Sequence, residues 1–572
     1  MIETEVHQRL RAYLRDQGHT QWPHHLTMAR LVARALRVDR SALIQTDSLA
    51  AYQGTYRLSY LIPALLWPGP AVLALPESLL EPILLQDIPN LQQNLPVIKP
   101  VQRGDRWPGA NFRGLLVTSV QDWLSDRLST SASINGTTAN GTAANRTVHS
   151  RFPDHIPTLI DGAGDLELWV RSRLSVSLST ADWESLMLAY PSQRALIRDL
   201  RVRITHAAFQ HPANPYGCHL IEDPEKSLLT ELHDALKTHG IAGQMPPLWQ
   251  TFWQRFFQQE RLAWSQLDRD LGSMVLCCGP TDIHSTLAPV WQRQPIVLIG
   301  SALDTDKKAI RYRERLGLGD MTCLEFGPNR HHDLVQLYLP DRLPMPNTSQ
   351  FKSAALQEIR TLLGERTPTL AEAFPSSLHT ASHRQGGEIS RQPYQDVSTK
   401  DSVGQVNGPT VIVIGDVPLK AQFASILAAE FGSRVQLESP IEENGVLITG
   451  WDYWRIHQSA FAPPALMIIT TLPIPSLENP LVAGRVATYK RRRQDWFKAY
   501  LLPAALSTLQ QAVAPVRSYR SVNHDSGGGV IALLDNRVNH RSYGRQVLAA
   551  LSPAARSSYL DAAWFSPTEP HS

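Results

Sequence analysis

A few places in this 572-residue sequence put side chains with usable chemistry where a fold could exploit them. The apolar run Thr158-Leu159-Ile160-Asp161 ends on a carboxylate, and open α/β sheets carry their functional groups at the carboxyl ends of such strands. Gly54-Thr55-Tyr56-Arg57 leads into the apolar segment 58–66; read by itself it is an ordinary loop-to-helix junction. Lys490-Arg491-Arg492-Arg493 follows Arg485 and precedes Trp496-Phe497. Cations beside aromatic faces suit the backbone and bases of a single-stranded nucleic acid, and equally describe a solvated helix face. Cys277-Cys278 has no second pair at metal-site spacing and reads as buried thiols. His331-His332 has no partner ligand at such spacing and is left as surface.

The elements that must position these residues are short apolar runs alternating with helix-length segments. Within 445–544, the runs 446–448, 466–469 and 530–534 have the beat of a parallel α/β sheet. Earlier runs at 42–45, 71–75, 115–118 and 158–161 begin another open sheet, preceded by a helical 1–40 with Leu26, Ala29, Val32, Ala33 and Leu36 on one face. From Asp165 to about Arg269 the pattern turns helical, rich in Leu, Trp and Gln. Strand-like runs return at 274–278 and 296–300, and the second sheet is expected to start at 411–414.

Length alone calls for two or three domains. Lys and Arg total 55 against 52 Asp and Glu, so no global basic field announces a nucleic acid and local patches must carry that role. Four cysteines in so long a chain fit a reducing cytoplasm better than a disulfide scaffold. The start of the chain is charged and amphipathic, unlike a signal peptide, and the apolar stretch 58–75 is interrupted by Pro63, Pro68, Gly69 and Pro70, so no membrane partner is expected. Asn135, Asn140 and Asn145 begin sequons inside the Ser/Thr/Asn/Gly tract 129–149, which reads as a low-complexity insertion; 364–408 reads as a polar linker.

The order of the motifs resembles the DinG/XPD branch of superfamily 2 ATP-dependent DNA helicases. The carrying residues are Trp454, Leu472-Pro473, Asn479-Pro480-Leu481, Gln510, Arg517, Asp535, Arg537 and Tyr543-Gly544, with Ser301-Ala302-Leu303 and Arg315-Leu316-Gly317-Leu318 in the first half. The resemblance implies two RecA-like parallel-sheet motor domains, the first with a mainly helical insertion. The expected divisions are a first domain over 1–164, an insertion over 165–270, a return and connection over 271–365, a linker over 366–408 and a second domain over 409–572.

It also implies the cofactors ATP and Mg²⁺, and a partner in single-stranded DNA or another nucleic acid. Gly54, Thr55 and Arg57 would be what remains of the phosphate loop, with either Tyr56 or Arg57 in the slot of its lysine. Asp161 would hold Mg²⁺. Arg517 and Gln510 would belong to the last motor motif, and Arg491, Arg492, Arg493 and Trp496 to the nucleic-acid surface. The departures are specific: Gly162 replaces the water-positioning glutamate, Ala514 one of two arginines, and Pro515 should kink or end its helix. Relatives often carry four cysteines for an iron-sulfur cluster between their first two motor motifs, whereas 60–161 contains none, so no cluster is expected. Two readings follow: an ATP-driven helicase with weak or lost hydrolysis, or a catalytically silent binding or scaffold protein built on the same fold.

Overall fold

The structure is a computed structural model. It describes residues 1–16, 22–95, 99–135, 150–239, 245–330, 333–364, 408–442, 444–519 and 529–560. The expected linker is described only at its end, the low-complexity tract only as far as Asn135, and His331-His332 lies outside the described residues. The chain divides into two compact units, Met1–Pro328 with Pro473–Gln511, and Asn329–Leu472 with Ala512–Ser572.

The first unit holds β1 (Ala42–Thr46), β2 (Ala71–Leu75), β3 (Val101–Arg103), β4 (Leu115–Ser119) and β5 (Thr158–Asp161). Next come the insertion strands β6 (Val176–Leu178), β7 (Cys218–Leu220), β8 (Arg261–Asp268) and β9 (Ser273–Pro280), then β10 (Ile296–Ser301) and β11 (Thr322–Glu325). The main sheet runs β11-β1-β10-β5-β2-β4-β3, every pair parallel. Every residue of β1, β2, β4 and β5 is buried, as a sheet covered by helices on both faces requires. One face packs on helices Ile2–Asp16, His25–Val38 and Leu58–Leu66, the other on the segments around Trp123, Leu166 and Trp291.

The second unit has a parallel sheet of its own. Its strands are β12 (Val335–Tyr338), β13 (Thr410–Val413), β14 (Val435–Leu437), β15 (Val446–Thr449), β16 (Leu466–Ile469), β17 (Val530–Leu533) and β18 (Ala554–Ser557). The order is β14-β15-β13-β16-β17-β12-β18. Two RecA-like α/β sheets are therefore present; their central strands fall where the apolar runs predict, while β3, β11, β14 and β18 were not anticipated.

Three boundaries differ from the expected ones. The run 274–278 does not re-enter the main sheet. It forms the antiparallel hairpin β8–β9, turned at Gly272 (φ 60°), in a four-stranded insertion sheet ordered β6-β9-β8-β7. An apolar run cannot say which sheet it joins, and here one face of the hairpin is claimed by Trp183, Trp249, Phe252 and Phe256 of the insertion's helices. The insertion is thus helical plus a small sheet, and extends past 270.

The strand β12 and the helix Phe351–Leu363, expected with the first domain, belong to the second unit, β12 pairing with β17 and β18. Conversely, 473–511 leaves the second unit for the first. Its helix Pro480–Arg491 lies on β7 and β8 through Gly484, where a β-carbon would fall 2.5 Å from Leu262 Cδ2. The helix Leu502–Ala512 stops short of Pro515, as the proline predicts. No helix among the described residues is long and apolar enough to cross a membrane.

Candidate functional site

The segment after β1 is closed rather than open. Asp47 caps a short helix, Ser48–Gln53, accepting the Ala50 N–H at 2.6 Å and the Trp22 indole N–H at 2.9 Å. Gly54, at φ 70°, ends that helix and passes through the turn Thr55–Arg57 into Leu58–Leu66. A phosphate-cradling loop needs several backbone N–H groups turned outward. Here those of Ala50, Ala51 and Arg57 bond within the segment, to Asp47 and to the Gly54 carbonyl. The Arg57 guanidinium folds back over Gly54, where a β-carbon would lie 2.5 Å from its Cζ.

Tyr56, and not Arg57, points at Asp161. Its hydroxyl donates to Asp161 Oδ1 at 2.5 Å, the Tyr60 hydroxyl donates to Oδ2 at 2.8 Å, and the Gly162 N–H donates to Oδ1 at 2.8 Å. Asp161 is 0% exposed. Burial raises its pKa above the usual carboxylate value, against the two phenol hydrogen bonds and the charge of Arg57. Burial, then the Asp161 charge, holds both phenols well above their ordinary range. They therefore stay protonated, as donors. With both oxygens spent on buried donors, these residues do not fit a Mg²⁺ ion bridging to a nucleotide, and the closed segment does not fit its phosphates.

The glutamate slot is closed by shape as well. Gly162 sits at φ 82°, and a β-carbon there would fall 2.8 Å from Pro76 Cγ and 2.9 Å from the Trp169 ring. Behind it, the end of β10 packs on the Asp161–Gly164 turn: a β-carbon at Gly300 would lie 2.9 Å from the Gly164 nitrogen, and the Tyr312 hydroxyl donates to the Ala163 carbonyl at 2.7 Å. Ala302, two residues beyond Gly300, holds a left-handed φ of 54°. Gln511, the neighbour of Gln510, is the residue that reaches Gly164, its Nε2 3.2 Å from where a β-carbon would be; Gln510 itself is half-buried on the same helix.

In the second unit the motif residues carry structure. Asp535, fully buried, accepts the Leu472 N–H at 2.8 Å and grips Arg537, so two motifs are tied together by one carboxylate. The Trp454 indole donates to the Ala512 carbonyl at 3.0 Å. Gly544 approaches the Val538 carbonyl so closely that no β-carbon would fit. Arg517, expected to meet a phosphate, is 4% exposed and donates to the carbonyls of Asp333 (2.5 Å), Leu551 (2.5 Å) and Pro553 (2.9 Å). Its guanidinium is spent on holding the C-terminal strand segment in place.

The basic run 490–493 is divided in its roles. Lys490 stacks over the Trp496 ring at 5.4 Å. Arg492 pairs with Glu260 and, at 2.9 Å, with Asp282. Arg491 bonds Thr488 at 3.1 Å, and Arg493 occupies a left-handed φ of 56° just past the helix end; both are exposed. Arg492 lines a cavity of about 810 Å³ that spacing had not revealed, with Arg171, Arg311, Arg315, Tyr489 and Lys498 and with the acidic Asp282, Glu314 and Asp495, the last paired with Lys498 at 3.4 Å. Glu167 bridges Arg171 and Arg315 at 3.0 and 3.1 Å; burial pushes its carboxyl up, and the two arginines more than offset that, leaving it below its usual range. Arg311 donates to the Lys498 carbonyl at 2.9 Å and makes no ion pair among the described residues, so donors of its fork remain.

Residues 464–554 match the family described as "Helicase C-terminal domain". The ATP-dependent DNA helicase YoaA of Escherichia coli is 32% identical over 114 residues, 20% of this chain and 17% of that protein. YoaA of Haemophilus influenzae is 27% identical over 143 residues, 25% of this chain and 22% of that protein. These matches span less than a quarter of the curated relatives' length. Among solved structures, S. tokodaii Xpd4 aligns over 94% of this chain and 100% of its own, at 11% identity and a TM-score of 0.50. A structure titled "XPD_Helicase" aligns over 93% of this chain and 99% of its own, at 10% identity and a TM-score of 0.53. Those two likenesses show the fold.

Proposed function

We propose that this chain, a member of the DinG/XPD-type branch of superfamily 2 helicases, is a nucleic-acid-binding protein that has given up ATP turnover. The single observation that carries the reading is the Tyr56–Asp161–Tyr60 lock: the carboxylate that would hold Mg²⁺ is fully buried with both oxygens hydrogen-bonded to phenols. The closed segment over Gly54 and the internally bonded Arg517 support it from two further positions.

For nucleic acid, the support is the cavity flanked by Arg311, Arg315 and Lys498, together with the Lys490–Trp496 stack. Its relatives are described as DNA helicases, which makes single-stranded DNA the ligand to try first.

An ATPase assay with and without single-stranded DNA tests the reading. Losing one charge-stabilising group typically costs on the order of 100- to 1,000-fold in rate, and several are replaced here, although such losses do not add. Turnover near background is expected in both conditions. Gly162→Glu should not restore it, since the new side chain meets Pro76 and Trp169 at a left-handed φ. Robust DNA-stimulated hydrolysis abolished by Asp161→Ala would instead establish an active helicase with unconventional ligands.

A further inference from the structure

The stretch from Asn536 to Tyr559 contains four arginines and a histidine and not one acidic residue, in a chain whose charges otherwise nearly balance. Arg537 is taken by Asp535. The other three, Arg541, Arg545 and Arg556, converge on one concavity of about 520 Å³ in the second unit, with Asn539 and Ser542 at its polar wall. No carboxylate lines it, and none of the three makes an ion pair among the described residues.

Like charges on an open surface spread apart, and gathering three guanidiniums on one hollow costs repulsion that a counter-charge must offset. The hollow is also shaped in advance. Arg556 donates to Asn539 Oδ1 at 2.9 Å, which fixes its fork, and Asn539 is itself oriented by an Nδ2 donation to Asn536 Oδ1 at 3.0 Å. The turn that presents Arg541 and Arg545 is closed by the Gly544 N–H to Arg541 carbonyl bond at 2.9 Å, against the Val538 carbonyl where only glycine fits.

We infer that Arg541, Arg545 and Arg556 form a phosphate-ester binding site on the second unit, separate from the Arg311–Lys498 cavity of the first. Planar guanidinium forks grip phosphate oxygens two at a time, and with no carboxylate in the walls no fixed anion competes for them. The expected ligand is the phosphodiester backbone of a single-stranded nucleic acid, to which a hydroxyl from Ser542 and an amide from Asn539 add neutral donors.

The test is arginine footprinting of the full chain with phenylglyoxal, read by mass spectrometry, alone, with oligothymidylate, and with inorganic pyrophosphate. Protection of Arg541, Arg545 and Arg556 by oligothymidylate is the expected result. The Arg541→Gln/Arg545→Gln variant should then lower the log-log salt slope of oligothymidylate binding by about 1.4, two contacts at about 0.7 each for a single strand. Both changes lie on exposed side chains, and circular dichroism of the variant is the check that it folds.

If pyrophosphate protects them and oligothymidylate does not, the site takes free phosphate and the backbone assignment is overturned. Three arginines equally reactive in every condition would overturn the site altogether. Protection of these three with Arg311 and Arg315 left reactive would keep this site and sink the first-unit groove, so the two readings fail separately.

Discussion

Asp161 shows how the groups around a carboxylate decide what it can do. With Tyr56 and Tyr60 four residues apart on a continuous helical segment, both phenols reach the same carboxylate, and the position expected to hold Mg²⁺ is a buried hydrogen-bonded node. Tyr60→Phe deletes the donor to Oδ2 and should destabilise the first unit by about 1–3 kcal/mol, the usual cost of a buried group left unsatisfied. The pH dependence has a definite sign. The folded pKa of Asp161 lies above its unfolded value, so the folded state binds the proton more tightly and stability from this group falls as pH rises through that window. Losing a phenol donor raises the folded pKa further. The gap between wild type and variant in urea denaturation should therefore widen from acid toward neutral pH, and a gap independent of pH would argue against the node.

At the scale of elements, the decisive one is the helix Pro480–Arg491. Sequence spacing places it among the second-unit motifs, yet it lies on the insertion sheet of the first, with Gly484 set against Leu262 and Leu220 and Arg492 paired with Glu260 and Asp282. Gly484→Val would drive two methyl groups into those leucines, an overpacking that costs roughly 1–3 kcal/mol. Limited proteolysis should then cut within 473–511 at lower protease concentration than in the wild type. Unchanged cleavage would mean that the helix is not held by this contact. A similar anchoring acts at the end of helix Leu58–Leu66, where the buried Lys99 ammonium donates to the carbonyls of Ala64, Trp67 and Gly69. Burial pushes that lysine down to about 8.

Across the whole molecule, the four cysteines bear on metal content. Cys218, Cys277 and Cys278 sit on the insertion sheet and Cys323 on β11. Burial raises all four thiols, Cys278 to about 11, which disfavours the thiolate that metal ligation needs. Iron and acid-labile sulfide analysis of anaerobically purified protein should find neither in stoichiometric amount. Finding both would place a cluster where neither the 60–161 stretch nor these thiols offers four ligands.

What the sequence determined by itself is the central strands: the apolar runs at 42–45, 71–75, 115–118, 158–161, 296–300, 411–414, 446–448, 466–469 and 530–534 all became strands of parallel sheets. Such runs are legible because burial on both faces demands near-continuous apolar residues, a local property. The motif order was legible too, since it is a property of the residues in sequence, although the bonds that hold Asp161 and tie Leu472 to Asp535 reach far along the chain. Tertiary structure alone decided which sheet 274–278 and β12 would join, which unit 473–511 would pack on, and whether Asp161, Arg492 and Arg517 would face solvent or an internal partner. Those outcomes depend on donors and acceptors tens to hundreds of residues away, such as the carbonyls of Asp333 and Leu551 for Arg517. A charged side chain reads the same in sequence whether its hydrogen bonds are free or spent, and only the folded chain brings the partner that spends them.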